Sequence, residues 1–201
     1  GTFGVSEERI LVANNTLPLI SIISPINNTY YNSYFNLNIT ITDALLSSSI
    51  YNLTNSSSLV QQNLNYSINA SIYTWNDLVN LSNSTFNDGN YSLLVWANDS
   101  VGAETSSSVN FVLDKTDPVI NNLTITPTTV YNNNSVLFTL NITELNLNVS
   151  TIYLELLGEN YTMQQESSEI FNFSLGSGNL TNQQTITYLV HVFDLANNYN
   201  G

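Results

Sequence analysis

Cysteine is absent from the 201 residues, which excludes disulfide bracing, thiol catalysis and cysteine-based metal sites. Basic residues are almost absent too. Arg9 and Lys115 are the only cations against 15 carboxylates, giving a formal net charge of −13. Such a chain is a poor partner for nucleic acid or an anionic membrane surface. No apolar run approaches the ~18 residues of a membrane span, so neither a transmembrane segment nor a helical pilin stalk is expected. No signal peptide is visible, so Gly1 reads as a mature terminus. Histidine occurs once, at His191, with no nucleophile elbow near it, which leaves a Ser-His-Asp arrangement without support. The carboxylates show no spacing that singles out a glycosidase pair. The chain is expected not to be an enzyme.

Charge is scarce altogether: 8% of residues are charged while 42% are hydrophobic. A soluble surface of that composition needs another source of polarity. The chain has 34 Asn and 46 Ser plus Thr, and these combine into 18 Asn-x-Ser/Thr acceptors. They are Asn14, Asn27, Asn38, Asn52, Asn55, Asn65, Asn69, Asn80, Asn83, Asn90, Asn98, Asn122, Asn133, Asn141, Asn148, Asn160, Asn172 and Asn179. Composition alone would give about 8, so the excess is more than twofold. Acceptors at this density point to an exported chain whose surface is hydrated by covalent N-linked glycans. An extracellular, cell-surface protein without disulfides fits a prokaryotic source. No cofactor is expected.

The sequence repeats. Ser108–Pro118 lines up with Glu8–Pro18 at an offset of 100, with Thr16 and Thr116, and Pro18 and Pro118, in register. Asn36–Asp43 matches Thr139–Glu144, Ser49–Leu53 matches Thr151–Glu155, and Leu94–Asp99 matches Leu189–Asp194. Apolar residues alternate through Leu37, Ile39 and Ile41, and again through Val136, Phe138, Leu140 and Ile142, the period of strands with one buried face. Turn clusters at 24–28, 87–89 and 176–178 punctuate them, and no stretch has convincing helical spacing. About seven strands in about 100 residues is the rhythm of an immunoglobulin-like sandwich. The expected fold is all-β with two tandem sandwiches. Strands are placed near 19–24, 35–43, 49–54, 58–64, 70–74, 90–98 and 107–113, then near 119–126, 135–143, 151–157, 161–165, 168–174 and 184–193.

The repeats are out of phase with the chain. Residues 18–117 form a first domain, and residues 118–201 a second with no residues for a seventh strand. Residues 1–17 match the end of a domain, and make an N-terminal donor strand and linker. The expectation is head-to-tail polymerisation, in which Arg9, Ile10, Leu11, Val12 and Ala13 of one subunit complete the second domain of an identical neighbour. The acceptor groove would run beside Ile186, Tyr188, Val190 and Val192. At offset 100, Leu11 and Ala13 take the inward places of Phe111 and Leu113, and Arg9 stands where Val109 does.

Pro18, Ile20, Ser24-Pro25, Asn27 and Thr29-Tyr30, the run Gly89-Asn-Tyr-Ser-Leu93, the turn Ala97-Asn-Asp99 and the run Phe111–Pro118 resemble tandem Ig-like domains of prokaryotic, especially archaeal, surface proteins. The out-of-phase arrangement is similar to archaeal thread filaments and chaperone–usher pili, whose subunits lend a strand to the next. That resemblance implies donor-strand assembly. The other expectation kept open is a repeat segment of an S-layer or adhesin stalk binding a surface partner or glycan, since such domains serve all these roles.

Two smaller readings remain. His191 aligns with Trp96 and reads as a strand residue. Asp99, Asp114 and Asp117 are weak calcium candidates at the junction between repeats; as aspartates they serve equally as turn and linker residues, and no 12-residue calcium loop accompanies them.

Overall fold

The computed structural model describes residues 16–55, 58–131, 133–181 and 185–201. Among these the chain is all-β, with a single 3-10 turn at Val149–Thr151 and no α-helix. Among the described residues no helix is long and apolar enough to cross a membrane.

The first eight strands are β1 (Leu19–Ser24), β2 (Thr29–Tyr31), β3 (Tyr34–Thr42), β4 (Leu46–Asn55), β5 (Ser58–Asn65), β6 (Ile72–Asn80), β7 (Gly89–Asp99) and β8 (Glu104–Leu113). They form a three-stranded sheet of order β1-β3-β6 and a five-stranded sheet of order β2-β8-β7-β4-β5. This is the immunoglobulin division of strands, with A, B and E on one sheet and G, F and C on the other. The alternation in β3 does what its period demands: Leu37, Ile39 and Ile41 are fully buried while Asn36, Asn38 and Thr40 face outward. Phe35 of β3 meets Phe111 of β8 edge to face at 5.3 Å, which closes one sheet over the other.

The remaining strands are β9 (Val119–Thr126), β10 (Val136–Thr143), β11 (Tyr153–Leu156), β12 (Glu159–Thr162), β13 (Gln164–Gln165), β14 (Ile170–Leu175), β15 (Tyr188–Phe193) and β16 (Tyr199–Asn200). Their sheets have the orders β13-β14-β10-β9 and β12-β11-β15-β16. The core gathers Phe138, Leu140, Ile142, Leu154, Phe171 and Val192 from both sheets. β11 and β12 are joined through Leu157 and Gly158, whose φ angles of 56° and 83° are the left-handed pair of a tight hairpin.

The chain groups into two compact units, and the division does not fall at one point. The first unit includes Phe35–Val79 and Tyr91–Phe111; Thr29–Tyr34 and Asn80–Asn90 group with Val112–Gly201 in the second.

Strand positions depart from expectation in several places: β15 begins at Tyr188, so Ile186 of the expected 184–193 lies before it, and Thr29–Tyr31 forms a strand where none was placed. Ile72–Asn80 runs past the expected 70–74, and the expected 161–165 divides into β12 and β13. The strand placed near 151–157 starts late, because the Thr151 N–H turns back to the Asn148 carbonyl at 3.0 Å. The seventh strand of the second sandwich was expected to have no residues, yet Tyr199–Asn200 begin it by pairing with Val192–Phe193.

Candidate strand-acceptor site

In the first sandwich the ten-residue β8 runs beside β7, with the short β2 outside it. Its register is fixed at two points: the Asp99 N–H donates to the Ala103 carbonyl at 3.0 Å, and Phe111 stacks on Tyr91 with ring centroids 5.5 Å apart. One unbroken antiparallel register satisfies both and puts Val109 opposite Leu93. Under this cover the inward residues of β7 are sealed: Tyr91, Leu93, Val95 and Ala97 are 2%, 1%, 0% and 0% exposed.

β15 is the counterpart of β7. Tyr153 pairs with His191 and Leu154 with Val190, as Ile50 pairs with Trp96 and Tyr51 with Val95. Three of the groove residues correspond along the strand, Tyr188 to Leu93, Val190 to Val95 and Val192 to Ala97; Ile186 precedes β15, and counting back two residues sets it at Tyr91's place. Their burial splits. Val190 and Val192, near the two-residue β16, are 6% and 0% exposed, whereas Tyr188 is 44% exposed and Ile186 only half-buried. Where β8's counterpart stops, the sealing stops.

A cavity of about 220 Å³ opens at that place, lined by Ile125, Val136, Phe138, Leu175, Ile186 and Tyr188 among others. Phe111 of the first sandwich packs on Phe35 and Tyr91, whose places are taken in the second by Val136 and Ile186, and both line the cavity. Tyr188 meets Phe138 edge to face at 5.7 Å. The site has room to bury an apolar side chain and an open strand edge beside it. The donor residues Arg9, Ile10, Leu11, Val12 and Ala13 lie outside the described residues, as does Asn14.

No protein-family model and no curated sequence matches the chain. Among solved structures it is similar to the fibronectin(III)-like modules of CbhA from Clostridium thermocellum, at 14% identity and TM-score 0.45, covering 91% of this chain and 90% of that one. A bacterial ice-binding adhesin concerned with host cell surface retention aligns at 15% identity and TM-score 0.40, covering 92% of this chain and 62% of that one. The tetra-tandem repeat in the extending region of a large adhesion protein aligns at 17% identity and TM-score 0.35, covering 91% of this chain and 46% of that one. At these identities and scores, none of them bears on what this chain binds or builds.

The acidic residues gather differently from expectation. Of Asp99, Asp114 and Asp117, only Asp114 joins a cluster, and its companions are Glu144 and Asp194, with ligand oxygens all within 4.8 Å of one another. Asp99 instead holds the β7–β8 turn, its Oδ1 accepting from the Val101 and Ala103 N–H groups at 3.0 and 2.7 Å. Asp194 repeats that role for Ala196 and Asn198, both at 2.8 Å, and Asn198 Nδ2 donates to its Oδ2 at 2.6 Å. Asp114 Oδ2 accepts from Asn146 Nδ2 at 2.6 Å, and Glu144 Oε1 from the Asn146 N–H at 2.9 Å. Burial holds the Asp194 carboxyl above the usual aspartate range, and the Asp114 charge pushes the same way, against the bonds from Asn198 and Ala196. The sequence carried a signal for this group, since Glu144 aligns with Asp43 and Asp194 with Asp99.

His191 stacks on Tyr153 at 4.4 Å, lies 3.2 Å from Glu155 Oε2 through Nε2 and 3.0 Å from the Tyr199 hydroxyl through Nδ1. It fastens β15 to its two neighbours, the strand role expected of it.

None of the seventeen glycan acceptors among the described residues is buried. Asn38 and Asn141 project from the outward faces of β3 and β10. Asn172 Nδ2 donates to Glu166 Oε2, and Asn179 Nδ2 to the Gly176 carbonyl at 2.8 Å.

Proposed function

We propose that this chain is a structural subunit of a glycosylated extracellular filament, assembled head to tail as residues 9–13 of one copy complete the second sandwich of the next. The open edge of β15 carries the reading, with its cavity where the first sandwich seats Phe111. An exposed strand edge over an apolar hollow is a template for another strand. Residues 9–13 suit it because they align without a gap to 109–113, the strand that fills the same place in the first sandwich. The glycan coat supplies the polarity that the sparse charge does not, and keeps the other faces from associating.

The second reading is a repeat segment of a longer surface array, such as an S-layer or adhesin stalk. The 100-residue repeat favours it, because in an array the strand after β15 is supplied by the same polypeptide. Removing residues 1–16 from the chain separates the two. The filament reading expects a soluble or aggregating monomer and no fibres by electron microscopy. Fibres of normal appearance from the shortened chain contradict it.

A further inference from the structure

We infer that Tyr188 is the residue that recognises Arg9 of the incoming strand, and that this pair keeps the acceptor groove specific for the N-terminal segment of another copy. The inference rests on the donor-strand reading.

The positions follow from register. β16 pairs Asn200 with Val192 and Tyr199 with Phe193. Asn198 is the counterpart of Ala103, because the Asp194 N–H donates to its carbonyl as Asp99 does to that of Ala103. Continuing that register with residues aligned at offset 100 brings Leu11 opposite Ile186 and Arg9 opposite Tyr188. The corresponding pairs in the first sandwich are Phe111 with Tyr91 and Val109 with Leu93. Both members of the second pair differ between the sandwiches: Leu93 becomes Tyr188, and Val109 becomes Arg9.

Arg9 is the only arginine of the chain, and at Val109's position it would face Leu93, which is 1% exposed. An uncompensated guanidinium there is costly to desolvate. Tyr188 offers it a partner. Its ring is 44% exposed, rests edge to face on Phe138, and lies at the rim of the cavity. A guanidinium over a tyrosine face within about 6 Å is attracted by the ring quadrupole, while its stem covers apolar surface and its head reaches water. Two segments of matching sequence compete for an edge of this kind, residues 109–113 of β8 and residues 9–13. The Arg9–Tyr188 pair favours the second in the open groove and disfavours it in the first sandwich, so discrimination comes from both attraction and exclusion.

Full-length chains carrying Arg9→Val, Tyr188→Leu, both, or Tyr188→Phe test this through the concentration at which fibres begin to form. Tyr188→Leu is expected to raise that concentration about tenfold beside Arg9, and by less than about twofold when residue 9 is valine. Tyr188→Phe keeps the ring and is expected to match the unchanged chain. Independent, multiplying effects of the two single substitutions overturn the pairing, as does a tenfold loss with phenylalanine. Fibres that persist without residues 1–16 overturn the donor-strand reading itself. Fibres that need those residues but show no coupling overturn the Arg9–Tyr188 assignment alone.

Discussion

Phe111 stacks on Tyr91 at 5.5 Å in the first sandwich, whereas Ile186, at Tyr91's place in the second, lines a cavity. The place is filled in the first sandwich and open in the second. Replacing Phe111 by alanine therefore empties a filled site, and is expected to cost roughly 3–5 kcal/mol in denaturant unfolding of the first sandwich. The unfolding of the second is expected to be unchanged.

Register gives the next expectation. In the proposed register Leu11 would enter the cavity of a neighbouring copy and Ile10 would face away from it, because neighbours along a strand take opposite faces. Leu11→Asp is expected to suppress polymerisation far more than Ile10→Asp, read from fibre mass after sedimentation. The reverse order would shift the donor strand by one residue.

Much of this was legible in the sequence, because strands declare themselves by period. Leu19–Ser24 and Val119–Thr126 fall where alternation and turn residues place them. The repeat offset also located β15 as the counterpart of β7, since Leu94–Asp99 and Leu189–Asp194 share a pattern that hydrogen bonding respects. What alternation could not give was depth of cover. Ile186, Tyr188, Val190 and Val192 look alike as inward residues, yet only the first two are left open, because β16 reaches just far enough to seal the others. Nor could spacing alone choose Glu144 and Asp194 as Asp114's companions over Asp99 and Asp117. That convergence depends on how the turns after β10 and β15 fold back.

Glycosylation is checked by intact mass on native material. The protein is expected well above 22.3 kDa, with Asn38 and Asn141 modified. Asn172 and Asn179 are expected to be the least occupied acceptors, because their amide nitrogens are already donating. A mass near 22.3 kDa would refute the coat.

Asp194 sets a pH dependence. Its folded-state carboxyl titrates above the unfolded value, so its stabilising contribution is complete below the ordinary aspartate range and is lost as pH rises through the raised value. Relative to Asp194→Asn, the unchanged chain is expected to gain unfolding free energy as pH falls across that window. A difference that grows with rising pH would reverse the assignment.

Because the chain has no cysteine, a single engineered pair reports strand donation without background. In the proposed register Leu11→Cys with Ile186→Cys would place two thiols at opposed positions of an antiparallel pair, where Cα separations of about 4.5–5.5 Å permit a disulfide. Under mild oxidation the account predicts a ladder of covalent multimers on a non-reducing gel, collapsing to monomer on reduction. Monomers alone, whether uncrosslinked or closed within one chain, would contradict the claim that a second copy completes the sandwich.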